Sequence, residues 1–196
     1  MIRRSRVSIL EILPRLFTYV DVSQLINNPN VFLTRAVKAG HVIRLAKGYY
    51  FNSLFYKNEQ PTIEEVACFV RRPTYISCEW AMNYHSLLLQ VPFTCTAITL
   101  SPTFGERNKI HYADRMIEYS SINERLFFGF ETSQGISIAT PEKALLDAAY
   151  LRRYIPFGDE LELDVIDSKK LDEMAKSFPG KVREMVISLI EEKIQS

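Results

Sequence analysis

The chain has 196 residues, of which 47% are hydrophobic and 24% charged, an ordinary composition for a globular protein. This composition excludes a disordered or fibrous chain, and the length allows one large or two small domains. The formal net charge of +1 hides an asymmetry, because residues 1–60 hold nine Lys and Arg against three Asp and Glu, a net charge of +6. Residues 61–196 therefore carry −5. A basic first part joined to an acidic remainder predicts a polyanionic partner for the first part.

The N-terminal segment and the cysteines bear on location. No stretch approaches the roughly 18 uncharged apolar residues of a membrane span. The chain begins with basic residues, but Glu11 and Pro14 interrupt the short apolar segment, and no small-residue cleavage site follows. We therefore expect a cytoplasmic protein with no membrane partner. Cys68, Cys78 and Cys95 are odd in number and widely spaced, so we expect reduced core or half-buried thiols.

Helical spacing of apolar residues predicts two short helices at the start of the chain. The first lies within residues 5–16, with Pro14 breaking or kinking it near its end. Asp21 is expected to cap the second, which turns Val22, Leu25 and Ile26 inward.

The stretch NPNVFLTRAVKAGHVIRLAKGYY, residues 28–50, predicts a third helix followed by a two-stranded ribbon. Asn28 is expected to cap the helix, Pro29 suits its first position, and Gly40 suits its end. The return of the ribbon falls at residues 46–48. Helix, short helix, helix and hairpin follow one another in the order of a winged helix-turn-helix.

The third predicted helix has one apolar stripe and one polar, cationic face. The stripe consists of Phe32, Leu33, Ala36 and Val37. On this reading, the helix enters a DNA major groove, where Arg35 is the best candidate to bind guanine O6 and N7, and cations of the ribbon contact phosphates. The predicted DNA-binding residues are Asn30, Thr34, Arg35, Lys38, Arg44 and Lys47. The alternative is a small helix–hairpin unit that only packs against another part of the protein.

The pattern changes at Pro61, where we place a domain boundary. Thr62 opens a capping-box sequence before one helix, and Ser77 is expected to cap another. Between residues 93 and 139 the apolar period becomes two, which predicts a sheet of about four or five strands. Several connections are too short for crossovers, so this sheet is expected to be mainly antiparallel.

The last third of the chain is predicted to be helical. Thr140 caps a helix whose inward residues are Ala144, Leu145, Ala148 and Leu151. Two amphipathic segments separated by residues 179–180 then predict a terminal helical pair. The predicted fold class is α+β, with a winged helix-turn-helix at residues 1–60 and an α+β domain with a mainly antiparallel sheet at residues 61–196.

One polar cluster could carry chemistry. Glu142, Lys143 and Asp147 lie within two helical turns, and an acid–lysine–acid set can serve a metal-dependent nuclease or general acid–base catalysis. Glu142 in a first turn already complements the helix dipole, and Lys143 is expected to face outward. His85 and His111 lack partners at ligand spacing. We therefore predict no catalytic residues, no metal and no cofactor, and a protein that is not an enzyme.

Four segments in order carry a resemblance to a known family: TRAVKAGHVIRLAKGYY, YISCEWAMNYHSLL, LFFGF and ISIATPEKALLDAAYL. Together they resemble the AbiEi family, the antitoxins of bacterial AbiE-type (type IV) toxin–antitoxin systems. The resemblance implies an N-terminal winged helix that represses its own operon by binding double-stranded operator DNA with inverted repeats.

For the C-terminal domain, the resemblance implies neutralisation of a nucleotidyltransferase-like toxin encoded alongside, often without a stable complex between the two proteins. We place this antitoxin function on the helix that carries Glu142, Lys143 and Asp147. Residues 61–196 carry a net negative charge, which argues against a further nucleic-acid contact from this domain.

Two other functions remain open at this stage. A stand-alone winged-helix regulator with a ligand-sensing C-terminal domain predicts a small-molecule pocket in residues 61–196. An enzyme predicts metal or substrate bound near Glu142 and Lys143. An antitoxin instead predicts an adjacent toxin gene and an operator with inverted repeats.

Overall fold

The computed structural model describes residues 6–103 and 105–195. The chain is mixed α and β, as predicted, and it divides into two compact units, residues 1–62 and 63–196. This division falls close to the predicted boundary at Pro61. Each unit has a hydrophobic core of its own.

The described part of the first unit consists of short helices and a three-stranded antiparallel sheet in the order β1-β3-β2. Its elements are α1 (Arg6–Ile12), β1 (Leu16–Thr18), α2 (Tyr19–Leu25), α3 (Pro29–Lys38), β2 (Ile43–Ala46) and β3 (Tyr49–Phe51). The first helix is shorter than predicted. It ends at Ile12, and Leu16–Thr18 instead pairs with Tyr49–Phe51 as an antiparallel strand.

Two predicted helix caps in this unit are wrong. Thr18 caps α2, because its Oγ1 accepts a hydrogen bond from Asp21 N (3.3 Å) while Asp21 Oδ2 accepts one from Thr18 N (2.7 Å). Asp21 is therefore the third helical residue of a reciprocal capping box. Asn28 precedes α3 but makes no side-chain cap hydrogen bond, whereas Pro29 begins that helix as predicted.

The core of the first unit lies between α1, α3 and the sheet. Phe32, Leu33 and Ala36 are buried as predicted, but Val37 is 38% exposed and Leu25 is 39% exposed, so both expectations of inward packing are wrong. The reason is that each of these short helices turns only a narrow stripe to a small core.

Asn52 joins the hairpin to the first helix. Its side chain is fully buried, and Nδ2 donates to the carbonyl oxygens of Leu10 (2.8 Å) and Leu13 (3.3 Å). Carbonyls at the end of a helix lack the usual partner within the helix, and this side chain supplies hydrogen bonds to two of them. The backbone N–H of Asn52 donates to Arg15 O at 2.9 Å, which fixes the same junction.

The second unit is built on a six-stranded sheet in the order β6-β7-β5-β4-β9-β8. Its strands are β4 (Thr74–Ser77), β5 (Thr94–Thr99), β6 (Lys109–Tyr112), β7 (Arg115–Ser121), β8 (Phe130–Ser133) and β9 (Ile136–Ala139). Its helices are α4 (Ile63–Val70), α5 (Cys78–Tyr84), α6 (Pro141–Arg152), α7 (Ser168–Ala175) and α8 (Gly180–Gln195).

The sheet is mixed, which corrects the expectation of a mainly antiparallel sheet of four or five strands. β5 pairs with β7 in parallel and β4 pairs with β9 in parallel, while the other three pairings are antiparallel. β6 and β7 form a hairpin, and its second strand, β7, lies beside β5. The first strand, β6, is therefore at the edge of the sheet, although it directly follows β5 in the chain. The short segment Thr74–Ser77 is a central strand, because its four residues are all buried between β5 and β9.

The helix α6 lies in the middle of the second core. Every residue from Glu142 to Ala149 is buried, and α6 packs against α5, α7 and α8. The chain ends in α7 and α8, in agreement with the predicted terminal pair of helices. Cys68, Cys78 and Cys95 are buried and free, as expected.

Within the part of the chain that the structure describes, no helix has both the length and the apolar character needed to cross a membrane.

We expect Phe32→Ala to lower the stability of the first unit by about 3–5 kcal/mol, because the ring is only 6% exposed and its removal leaves a cavity in a small core. The matched control is Val31→Ala on the same helix, where the side chain is 48% exposed. The measurement is urea unfolding followed by circular dichroism. Equal midpoints for the two variants would show that Phe32 does not anchor this core.

Candidate functional site

A cleft of about 690 Å³ lies between α3 and the hairpin of β2 and β3 in the first unit. Its α3 wall is formed by residues spaced three and four apart, which places them on one face of the helix. The lining residues are Asn30, Leu33, Thr34 and Val37 from α3, Arg44, Lys47, Gly48 and Tyr50 from the hairpin, and Tyr19 from the start of α2.

The structure places all six predicted DNA-binding residues on the surface of the first unit. Asn30 and Thr34 face Arg44 and Lys47 across the cleft. Arg35 and Lys38 do not line it. Arg35 follows Thr34 by about 100° of helix rotation, so it lies on the adjoining exposed face of α3.

Four cations of this surface are exposed: Arg35, Lys38, Arg44 and Lys47. Within residues 6–103 and 105–195, the side chains of Arg35, Lys38, Arg44 and Lys47 form no ion pair. Arg44 Nε donates to Ala46 O at 3.4 Å, which leaves the other N–H groups of its guanidinium for an external acceptor. The cleft and the adjoining face can therefore bind an anionic chain.

Sequence reasoning missed two tyrosines of the cleft. Tyr50 is buried and stacks on Phe17 with ring centroids 5.5 Å apart, while Tyr19 N donates to Gly48 O at 2.8 Å. These contacts depend on the pairing of β1 with β3, which joins residues more than thirty positions apart. No local pattern could have placed Tyr19 beside the hairpin turn.

The three residues predicted to carry antitoxin function are buried in the second unit: Glu142 is 3% exposed, and Lys143 and Asp147 are 0% exposed. The expectation that Lys143 faces outward is wrong. The helix α6 is covered by neighbouring helices and by the sheet, so this part of it has no solvent-facing side. Its sequence could not reveal this, because a polar residue on a helix normally indicates an exposed face.

Lys143 and Asp147 form an ion pair inside a closed set of hydrogen bonds. Lys143 Nζ donates to the hydroxyl of Tyr75 at 2.8 Å. Asp147 Oδ2 accepts hydrogen bonds from Tyr75 OH at 2.9 Å and from Ser77 Oγ at 2.7 Å. Ser77 makes no cap hydrogen bond to α5, which corrects its predicted role as a cap.

Aromatic rings and a glycine enclose the Lys143 side chain. Its Nζ lies 5.0 Å from the ring centre of Tyr75, 5.5 Å from that of Phe128 and 5.3 Å from that of Phe178. Gly129 has a φ of 72°, and a Cβ there would stand 3.1 Å from Lys143 Cγ. A glycine at this position therefore accommodates both the backbone conformation and the lysine stem.

Burial shifts the titration of this network. Burial raises the pKa of Asp147 and lowers the pKa of Lys143, and the attraction between the two charges opposes both shifts. Burial also raises the pKa of the Tyr75 hydroxyl, and the nearby Asp147 carboxylate raises it further. Because all three groups are enclosed, they have no access to a substrate, and their arrangement stabilises the packing of α6 against β4.

Glu142 connects α6 to the start of α7. Its Oε1 accepts a hydrogen bond from Asp167 N at 3.1 Å, and Lys170 Nζ lies 3.3 Å from Oε2. Burial acts to raise the pKa of this carboxyl, but hydrogen bonds from Thr140, from Asp167 N and from its own backbone N–H, together with the charge of Lys170, lower it below the usual value.

Among the described residues, no group of three or more His, Cys, Asp or Glu side chains could hold a metal ion. No protein-family model matches the chain, and no curated protein matches its sequence.

We expect Lys143→Met to lower the free energy of unfolding by about 3–5 kcal/mol, because it leaves the Asp147 carboxylate buried without its cation. The double variant Lys143→Met, Asp147→Leu should cost less than the sum of the single changes, since neither charge then remains buried alone. Chemical denaturation of each variant measures the difference.

The matched control is Lys176→Met, which removes an exposed pair with Asp172 at the same helical spacing. We expect it to cost under about 1 kcal/mol. A loss for Lys143→Met as small as that of the control would contradict the structural role of the buried pair.

We expect the stabilising effect of Glu142 to depend on pH. A carboxyl whose folded-state pKa is lowered stabilises the fold above its ordinary value of 4.5, and this contribution is lost as the pH falls through the lowered folded value. The melting temperature of Glu142→Gln should therefore lie below that of the wild type at pH 7 and converge with it in acid. Glu173→Gln, an exposed position on α7, is the control. A difference that stays constant from pH 7 to acid would refute this role.

Proposed function

We propose that this chain is a DNA-binding regulator and antitoxin of the AbiEi type. In this proposal the first unit is a winged helix-turn-helix that binds the operator of its own gene, with α3 as recognition helix and the β2–β3 hairpin as wing. The second unit neutralises a nucleotidyltransferase-like toxin.

The observation that carries the DNA-binding part is the cleft between α3 and the hairpin. It has exposed polar side chains on one wall, Asn30 and Thr34, and exposed cations on the other, Arg44 and Lys47. Such a cleft fits a phosphodiester strand, which both walls can contact at once. With that strand in the cleft, the adjoining face of α3 is turned towards the base edges of a major groove.

This arrangement divides the six predicted residues into two groups. Arg44 and Lys47 contact phosphates, with Asn30 and Thr34 donating further hydrogen bonds to the same strand. Arg35 and Lys38, which lie outside the cleft, read the bases, and a guanidinium matches guanine O6 and N7 with two parallel hydrogen bonds. Phosphate contacts position the protein on any duplex, whereas base contacts select a sequence.

The net charge of +6 on residues 1–60 supports the same conclusion. A protein that neutralises phosphates releases condensed counterions, so its affinity falls steeply as salt rises. Residues 61–196 carry −5 and add no attraction to DNA. In this proposal all of the DNA affinity comes from the first unit.

For the second unit, the support is the resemblance carried by the run at residues 141–147. Glu142, Lys143 and Asp147 are buried, so in this proposal they act by fixing α6 and α7 in place and not by touching the toxin. Any surface that acts on the toxin must come from exposed residues held by this core.

One observation favours a second candidate function, a regulator that senses a small ligand. A cleft of about 340 Å³ in the second unit is lined by Arg72, Thr74, Phe127 and Phe130 among others. Thr74 Oγ1 is buried there without a hydrogen-bond partner in the described residues. The volume lies at the lower end of the range for ligand pockets. A change in operator affinity on adding a small metabolite would favour this function over toxin neutralisation.

We expect Arg35→Ala to weaken operator binding by about 1–3 kcal/mol and to relax sequence preference, because a base contact is lost. Lys47→Ala should weaken all duplexes similarly and reduce the slope of log K against log[salt] by about 1. Fluorescence anisotropy with the promoter DNA of this gene and with an unrelated duplex measures both effects. Lys57→Ala, which removes an exposed cation of the first unit outside the cleft, is the control.

If wild type, Arg35→Ala and Lys47→Ala bind the promoter with equal affinity, α3 is not the recognition helix and the β2–β3 hairpin is not the wing. The antitoxin part is tested separately by co-expression with the protein encoded beside this gene. Arg35→Ala should still relieve growth inhibition by that protein while losing repression. A toxic neighbour that the wild-type chain does not neutralise would exclude the antitoxin role.

A further inference from the structure

The second unit has a cleft of about 340 Å³ near the point where β4 begins and the β8–β9 hairpin turns. We call it the second-unit cleft. A volume of this size holds a small organic molecule. The residues of its lining that bear on binding are Cys68, Arg72, Thr74, Phe127, Phe130 and Ser137.

Two of the four polar side chains in this lining have partners within the fold. Cys68 Sγ donates to Thr74 O at 3.8 Å, and the hydroxyls of Ser137 and Thr132 share a hydrogen bond of 2.8 Å. The side chains of Arg72 and Thr74 make no hydrogen bond or ion pair with any residue that the structure describes. A ligand can therefore bind these two groups without breaking a contact of the fold.

The hydroxyl of Thr74 is the more informative of the two groups. Thr74 is 7% exposed, and a buried hydroxyl without a partner carries a free-energy cost that folded proteins normally avoid. Thr99, its partner on β5, follows the usual rule, because Thr99 Oγ1 donates to Pro73 O at 3.0 Å. An unpaired hydroxyl on a residue that lines a cleft points to a bound molecule that supplies the missing partner.

Two aromatic rings form the apolar part of the lining. Phe127 and Phe130 meet edge to face, with ring centroids 5.3 Å apart. Tyr75 contacts both, since its ring stacks on Phe130 at 4.7 Å and meets Phe127 edge-on at 5.0 Å. The hydroxyl of Tyr75 is in turn bonded to Lys143 and Asp147, so the rings pack on a residue that is itself held in place. Ordered aromatic rings suit a flat, apolar ligand body.

We propose that the second-unit cleft binds a small aromatic carboxylate. The ring of the ligand packs on Phe127 and Phe130, its carboxylate binds the guanidinium of Arg72, and a carboxylate oxygen accepts a hydrogen bond from Thr74 Oγ1. A guanidinium presents parallel N–H groups that match the two oxygens of a carboxylate. A neutral ring compound leaves Arg72 without an acceptor, and a small anion without a ring leaves the phenylalanines uncovered.

This inference gives a ligand chemistry to the ligand-sensing candidate above, and it rests on that candidate only for a regulatory use of the ligand. Binding to the cleft is measured without DNA and without a toxin. A chain that binds the carboxylate with no change in operator affinity would keep the site and lose the sensing function, so the two can fail separately.

The first test is a ¹H–¹⁵N NMR titration of the full-length chain with benzoate, with benzamide and acetate as matched controls. We expect benzoate to bind with a dissociation constant of about 1 mM, a value within the range for so small a ligand, and to shift the amide signals of Thr74, Gly135 and Ser137. Benzamide lacks the charge and acetate lacks the ring, so each should bind about tenfold more weakly. Equal binding of benzamide, or shifts confined to residues outside the cleft, would overturn the proposal.

The second test removes the cation of the cleft. Arg72→Met should weaken benzoate binding about tenfold and leave the weak binding of benzamide nearly unchanged, because only the charged contact is lost. The control is Lys181→Met, which removes an exposed cation of the same unit outside the lining. Equal benzoate affinity of the two variants would show that Arg72 does not bind the carboxylate.

The third test uses the opposite effects expected of Thr74→Val on stability and on binding. The melting temperature of the free chain should rise, because no hydroxyl then stays buried without a partner, while benzoate binding weakens severalfold. The matched control is Thr99→Val on the paired strand, which should lower the melting temperature because its hydroxyl is bonded. A Thr74→Val chain that binds benzoate like the wild type, or that is destabilised like Thr99→Val, would contradict the role of this hydroxyl in the site.

Discussion

The buried ion pair of Lys143 and Asp147 is the constraint on which the second unit depends. Two charges can be enclosed only if each is paired and hydrogen-bonded, and here the partners come from Tyr75 and Ser77 on the central strand β4. The pair therefore fixes one rotation and one height of α6 against the sheet. Gly129 adds a second condition, because a Cβ there would stand only 3.1 Å from the lysine stem. The helices α5, α7 and α8 pack against α6, whose position these contacts define.

Glu142 connects α6 to α7 in the same unit. Its carboxylate accepts the backbone N–H of Asp167, which is the cap residue of α7, and so the first turn of α6 positions the first turn of α7. An acid–lysine–acid set on a helix suggests chemistry when it is seen only as a sequence. In the folded protein the same three residues are buried: Lys143 and Asp147 bond to each other and to β4, and Glu142 binds the start of α7.

In the first unit, by contrast, the polar and cationic residues predicted to bind DNA are all exposed. The core residues of α3 pack into the core of this unit, and the buried Asn52 connects the end of the hairpin to α1. One wall of the cleft is polar and the other is cationic. A surface with unbalanced positive charge next to a rigid groove is suited to a polyanion. The two units thus differ physically: the first presents the charges of α3 and the hairpin to solvent, and the second encloses those of Lys143 and Asp147.

Local signals in the sequence were enough to place most helices and strands, because Pro29, Gly40, Gly48 and Thr140 act through their own backbone preferences and caps. Helical spacing separates the exposed Asn30, Thr34, Arg35 and Lys38 from the face of Phe32. The alternating pattern and the turn of the hairpin locate Arg44 and Lys47. By contrast, the inward orientation of Lys143, the central position of β4 and the mixed pairing of the larger sheet depend on long-range contacts. The physical reason is that burial and strand order arise from contacts between residues far apart in the chain, such as Tyr75 with Asp147, and a local pattern contains no information about which distant element will cover it.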